Sequence, residues 1–205
     1  MLKFRKKVPI IIMSLLLVVI TLMTNSVMAT ETKVLPDRLI RDGHKEWTLS
    51  LPFAVEKSLM EESVNMTTKE EEKEIPVTIT VNAVEGTNNF QITPENDYVA
   101  DNIYKLIIGQ KVFESYGSPR SAMELSFRKV EMDVNIESGL TAFQRLVKVK
   151  LPKDYTSKYN VMVMNKQLTY KESLDIYIGL VDSSDEVAID KEIIVTKKYD
   201  EQGDK

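Results

Sequence analysis

Short runs in which apolar and polar residues alternate one for one recur along this chain, and clusters of turn-forming residues separate them. A period of two puts every second side chain on one face, so each run reads as a strand with one buried side. Trp47-Thr48-Leu49-Ser50-Leu51 is the first such run, closed by Pro52, which cannot donate to a ladder. Residues 76–81 (Pro-Val-Thr-Ile-Thr-Val) alternate again, Glu85 to Asn89 is turn chemistry, and 90–93 returns as a strand. Further strands are expected at 103–108 and 123–127, with a loop at 115–119 between them. From about Arg128 the pattern restarts: Val130, Met132, Val134 and Ile136 share a face, and Ser138-Gly139 breaks the run. Strands are then expected at 146–151, 159–164, 167–170, 174–181 and 187–195, the last two joined by a hairpin turn at Asp182-Ser183-Ser184-Asp185.

Two stretches depart from alternation. In 56–65, Ser58 followed by Glu61 and Glu62 can cap a short helical turn before a brief strand at Val64-Asn65-Met66. The run Lys69-Glu70-Glu71-Glu72-Lys73-Glu74 reads as an exposed loop. No long amphipathic helix interrupts the series. Strands at this spacing indicate an all-β fold of two small β-sandwich domains, residues 44–130 and 131–198. A polar stretch at 30–43, with Pro36 and Gly43, is expected to be a linker, and 199–205 a disordered tail.

Residues 44–130 resemble the Ig-like domain of bacterial S-layer proteins, the SbsA-type family. His44 to Leu51 matches its first strand, a charged residue and a tryptophan followed by alternation. Val55-Glu56, Ser63-Val64-Asn65-Met66 and Ile75-Pro76-Val77-Thr78-Ile79 follow in the family's order. So do Phe90-Gln91-Ile92-Thr93-Pro94 with Tyr98, Tyr104-Lys105-Leu106-Ile107-Ile108, Val112 to Gly117, and Met123-Glu124-Leu125-Ser126-Phe127. Leu51 stands where an aromatic is usual, and the Glu-rich run replaces a Gly-containing turn. The resemblance covers about half the chain beyond residue 29. It implies an Ig-like sandwich and a structural or adhesive module on a bacterial surface, and it carries no catalytic residues to transfer. Residues 131–198 resemble no family.

The N-terminus reads as an export signal. Lys3, Arg5, Lys6 and Lys7 precede an apolar run from about Val8 to Met23, and Val27-Met28-Ala29 offers a small-residue cleavage site. The expected signal peptide is therefore 1–29, and the membrane is touched only through those residues if they stay uncleaved. Beyond Ala29 the chain keeps 23 basic and 31 acidic residues, a net charge of −8. That balance argues against nucleic acid, whose phosphates need clustered Lys and Arg. The absence of cysteine excludes thiol chemistry, a Cys-ligated metal and a lipobox, and requires each core to stand without disulfides. A cysteine-free exported chain with a long Lys-rich signal suits a Gram-positive bacterium. No Leu-Pro-x-Thr-Gly motif or apolar C-terminal span is present.

Residues able to do chemistry are sparse. His44 is the single histidine, and a lone surface histidine is its ordinary reading. Calcium is the least implausible ligand, with Glu95, Asp97, Asp101 and Asn102 in one loop and Asp182, Asp185 and Glu186 in another. Neither set has EF-hand spacing, and turn chemistry accounts for both. Tyr98, Tyr116, Tyr155, Tyr159 and Tyr170 are the candidates for exposed contact residues, against the alternative of ordinary packing. Met162 and Met164 read as one sheet face. No catalytic, cofactor-binding or metal-ligating residue is assigned. The sequence thus points to a secreted or cell-surface, non-enzymatic interaction or structural module, whose partner is an extracellular protein or cell-wall component. The alternative is a secreted enzyme or enzyme inhibitor acting through a cleft that sequence does not reveal.

Overall fold

In the computed structural model, the structure describes residues 32–70, 72–114 and 121–199. The expected signal peptide, the loop residues 115–119 with Tyr116, and the tail from 200 lie outside the described residues. The fold is all-β. Its first strand, β1 (Lys33–Ile40), occupies the stretch expected to be a linker. Pro36 and Asp37 hide it from a period-two reading, and the structure absorbs them in a register shift between Leu35 and Arg38. Such a bulge accommodates a proline that has no N–H to give.

The strands that follow are β2 (Trp47–Ser50), β3 (Val64–Glu70), β4 (Lys73–Pro76), β5 (Ile79–Ala83), β6 (Asn89–Pro94), β7 (Ile103–Ile108) and β8 (Met123–Lys129). The second half adds β9 (Asp133–Ser138), β10 (Arg145–Lys150), β11 (Tyr159–Val163), β12 (Lys166–Gln167), β13 (Thr169–Lys171), β14 (Ile176–Val181) and β15 (Ile193–Lys197). Among the described residues three short α-helices intervene, α1 (Lys57–Ser63), α2 (Lys111–Glu114) and α3 (Glu186–Lys191), with a 3-10 turn at Glu172–Leu174. Ser58 lies inside α1 rather than capping it, since the N-cap is Glu56 and no side chain caps the helix.

Several expectations are corrected. The Glu-rich run is not simply an exposed loop: β3 reaches Glu70 and β4 starts at Lys73, pairing Lys69 with Glu74 and Glu70 with Lys73. Alternating signs across the ladder make that pairing favourable. The run at 76–81 is split, because Pro76 ends β4 and Ile79 opens β5 in a different sheet. Residues 187–195 are not one strand. Asp185 accepts the Ala188 N–H and starts α3, so β14 and β15 part into different sheets and 182–185 is no hairpin turn. Met162 and Met164 do not share a face: Met164 packs on the second core while flanking Val161 and Val163 fill it. Met162 therefore points the other way.

Among the described residues the strands form three sheets. An eight-stranded sheet runs β12-β11-β15-β1-β8-β7-β3-β4, a four-stranded one β13-β14-β10-β9, and a three-stranded one β2-β6-β5. The three-stranded sheet supplies Trp47, Val81, Phe90 and Ile92 to a first core with Met66, Leu106, Leu125 and Phe127 of the long sheet. The four-stranded sheet supplies Val147, Val149, Tyr177 and Val181 to a second core with Val161, Val163 and Val195. Consecutive residues of β1 are divided between them, Ile40 to the first core and Leu39 to the second. Neighbouring side chains on a strand point to opposite faces. The two smaller sheets therefore cover opposite faces of the long sheet, at either side of β1.

β1 runs parallel to β8 and antiparallel to β15, with Leu39 opposite Val195. It is the strand that joins the two halves of the long sheet. Because it feeds both cores, Leu39→Ala and Ile40→Ala should each cost about 2–5 kcal/mol. Both should shift one cooperative transition, with Trp47 fluorescence and far-ultraviolet circular dichroism coinciding in urea. A variant that splits the two signals would show that the cores unfold separately.

Candidate functional site

A broad concavity opens where β1 ends. It is a cleft of about 720 Å³, floored by Leu39, Ile40, Met132 and Ile193 and rimmed by charged residues of 41–46 and of α3. Its volume falls in the range of small-molecule sites. Arg41 pairs with Asp190 across it. His44 is on its rim, with Nδ1 3.0 Å from Asp97 Oδ1, and the pair is well exposed. Glu46 accepts from Gln91 and, at 3.4 Å, from Thr93. Lys45 and Lys191 make no ion pair among the described residues.

The rim is held from below by rings. Trp47, Tyr98, Tyr104 and Phe127 form a cluster with centroid distances of 4.7–5.4 Å. The Tyr98 hydroxyl accepts from Trp47 Nε1–H and donates to the Lys45 carbonyl, both at 3.2 Å. The Tyr98 N–H reaches the Gly43 carbonyl at 2.7 Å, and the Tyr104 hydroxyl takes the Val99 N–H at 2.8 Å. Two loops, 41–46 and 95–101, are thereby fastened together, and the His44–Asp97 pair is a result of that fastening. Among the described residues no hydroxyl nucleophile is hydrogen-bonded to His44.

The expected carboxylate sets do not gather. Asp97 faces His44. Asp101 sits at φ 65° and sends its N–H to the Lys129 carbonyl. Asp182 accepts from Gln144 at 2.8 Å, Asp185 caps α3, and Glu186 pairs with Arg145 at 3.1 Å. Among the described residues, no three His, Cys, Asp or Glu side chains are placed to hold a metal.

The tyrosines are mostly packing residues. Tyr98, a loop residue weighed as contact or packing, is 1% exposed, and Tyr159 is buried. Tyr155 lies against the second core and its hydroxyl accepts from Arg128 at 2.9 Å. Tyr170 donates to Asp175 at 2.9 Å.

A second concavity, about 130 Å³, lies beside β2. Leu35, Leu49, Met123 and Leu125 line it together with Arg38, whose guanidinium carbon is 5.8 Å from the Trp47 ring centre. No carboxylate among the described residues pairs with Arg38, and burial lowers the pKa of its guanidinium. Arg38 escapes sequence reasoning because it falls in the stretch taken for a linker. The apolar pairs Val34-Leu35 and Leu39-Ile40 at its two ends are the signal that marks a strand there.

No protein-family profile matches the chain, and no curated protein does. Among solved structures, the N-terminal part of the bacterial S-layer protein SbsC superposes with a TM-score of 0.30 at 10% identity. That match covers 62% of this chain and 42% of the other. Pullulanase type I from Bacillus subtilis str. 168, solved with maltose, gives a TM-score of 0.26 at 15% identity over 72% and 21%. The chain thus spans less than half the length of either protein. At TM-scores this low, neither likeness bears on what the chain does. Among the described residues no helix is long and apolar enough to cross a membrane.

The buried phenols give a pH test. Burial pushes Tyr98 up to about 12, against a smaller downward effect of the Trp47 hydrogen bond, from an ordinary value of 10.0. Burial likewise raises Tyr159 and Tyr177. Above about pH 10 the unfolded tyrosines lose protons that the folded ones keep. Stability is therefore complete below pH 10 and falls as pH rises towards 12. Tyr98→Phe should flatten that fall in an alkaline melting series. At pH 7 it should cost about 1–2 kcal/mol, because Trp47 Nε1–H and the Lys45 carbonyl lose their partner.

Proposed function

We propose that this chain is an exported, non-enzymatic structural or interaction module at the surface of a Gram-positive bacterium. One observation carries the reading. Most of the apolar residues on which the resemblance to the S-layer Ig-like family rests lie in the first core, with Ile75 and Pro76 exposed. Trp47, Leu51, Val64, Met66, Phe90, Ile92, Tyr98, Tyr104, Leu106, Ile108, Val112, Phe113, Leu125 and Phe127 are all buried there. The N-terminal 29 residues supply the route out of the cell, and the net charge of −8 beyond them disfavours adhesion through charge alone to acidic polymers.

Expression in a Gram-positive host, followed by fractionation of medium, wall, membrane and cytoplasm, tests the reading. The chain should appear outside the cytoplasm, with Thr30 as the first residue of the processed form. Recovery in the cytoplasm with Met1 intact would sink it.

A second reading, a secreted enzyme or enzyme inhibitor, draws on the 720 Å³ cleft with His44 on its rim. Under the module reading, His44→Ala and Asp97→Asn change stability by less than about 0.5 kcal/mol, since the pair is exposed. They also leave partner capture from surface extracts unchanged. A loss of function with the fold intact would favour the second reading.

A further inference from the structure

Among the described residues β2 is an edge strand, bonded on one side only, to β6. The Leu51 N–H donates to the Asn88 carbonyl at 3.2 Å, which sets the phase of the ladder. In an antiparallel pair the bonded positions alternate. Trp47, Leu49 and Leu51 therefore bond to β6, while the N–H and C=O groups of Thr48 and Ser50 point away from the sheet. Both residues are exposed. An open, unbulged edge of this kind is a template for another strand.

Below that edge lies the pocket of about 130 Å³ lined by Leu35, Leu49, Met123 and Arg38. Its volume suits one aliphatic side chain. Arg38 is half-buried against Trp47, where the guanidinium has lost water and gained an aromatic face in place of an anion. A desolvated guanidinium with no carboxylate is the complement of one that arrives with a ligand. Edge, pocket and cation lie together on one side of the first sandwich.

We propose that the free edge of β2 docks an extended peptide of a protein partner by strand addition, with a carboxylate side chain on Arg38 and an aliphatic one in the adjoining pocket. Inward-facing residues of an added strand are two apart, about 7 Å along the chain. The recognised pattern is therefore Asp or Glu, any residue, then Leu, Val or Ile, in either direction. This deepens the module reading by naming its partner's chemistry. The test below uses purified chain, so its failure leaves the fractionation outcome untouched.

Trp47 is the single tryptophan of the chain, and it stands over Arg38. Its fluorescence reports the site directly. Titration of residues 30–205 with the peptide acetyl-Thr-Thr-Glu-Thr-Leu-Thr-Thr-amide should give a saturable change. The peptide with Gln for Glu should bind about tenfold more weakly or worse. Arg38→Met, which keeps bulk and removes a desolvated charge, should retain the far-ultraviolet spectrum and melting temperature while losing binding to the same extent. Thr48→Pro removes an outward N–H from an edge strand, a place where proline is tolerated, and should abolish binding in a folded protein. The absence of any saturable response up to millimolar peptide overturns the proposal. Equal binding by Arg38→Met or by Thr48→Pro overturns it as well. So does an equal response to octanoate that Thr48→Pro leaves intact, which would assign the pocket to small amphiphiles.

Discussion

The parallel pairing of β1 with β8 is the contact on which the rest of this structure depends. Without it the long sheet falls into two pieces, β12-β11-β15 and β8-β7-β3-β4, each carrying one core. The pairing spans from Lys33 opposite Met123 to Ile40 opposite Lys129, with one irregularity where Pro36 sits. Its opposite neighbour β15 is held through two register positions only. The asymmetry is made good by side chains, since Leu39 and Val195 stand opposite each other in the second core. A single strand, first in the described chain, thus ties a core made of residues 40–127 to one made mainly of residues 130–195.

The surface features descend from that arrangement. The cleft opens where β1 hands over to the 41–46 loop, and its floor is the apolar end of β1 with Met132 and Ile193. The ring cluster of Trp47, Tyr98, Tyr104 and Phe127 then fixes two polar loops that have no regular structure of their own. His44, Asp97 and Lys45 hold their places because a buried hydroxyl ties Trp47 to the Lys45 backbone. The Arg38 pocket exists because the three-stranded sheet covers only part of the long sheet's face and stops at β2.

Much of the strand inventory was legible from period-two alternation, and β7 matches its expected span residue for residue. The turn at Glu85-Gly86 was legible too, with Gly86 in the left-handed region at φ 73°. What escaped was decided by tertiary pairing. β1 escaped because Pro-Asp in its middle is ordinary turn chemistry, and only two flanking strands make it worth extending. α3 escaped because Val187, Ile189, Val195 and their neighbours suit a strand by propensity. The Asp185 cap and the burial of Ile189 alone on its inner face decide for a helical turn. That Tyr98 packs rather than offering a contact was not decided by sequence, because a loop residue buried under a ring cluster leaves no periodic trace. The Arg38 site was invisible for a compound reason: its cation, its edge strand and its pocket wall are far apart in sequence, at Arg38, Thr48 and Met123.

The antiparallel order of β1 and β15 has a mechanical corollary. Lys33 opens β1 at the same end at which Lys197 closes β15, and Lys197 reaches Asp37 at 3.8 Å. Tension drawn between those two ends would peel β15 from β1 one rung at a time, as a zipper opens, with little resistance. A pull along β1 alone, opposed by a load on the far part of the long sheet, would instead strain the rungs to β8 side by side, and all must yield together. The direction of the load decides whether this fold is fragile or tough.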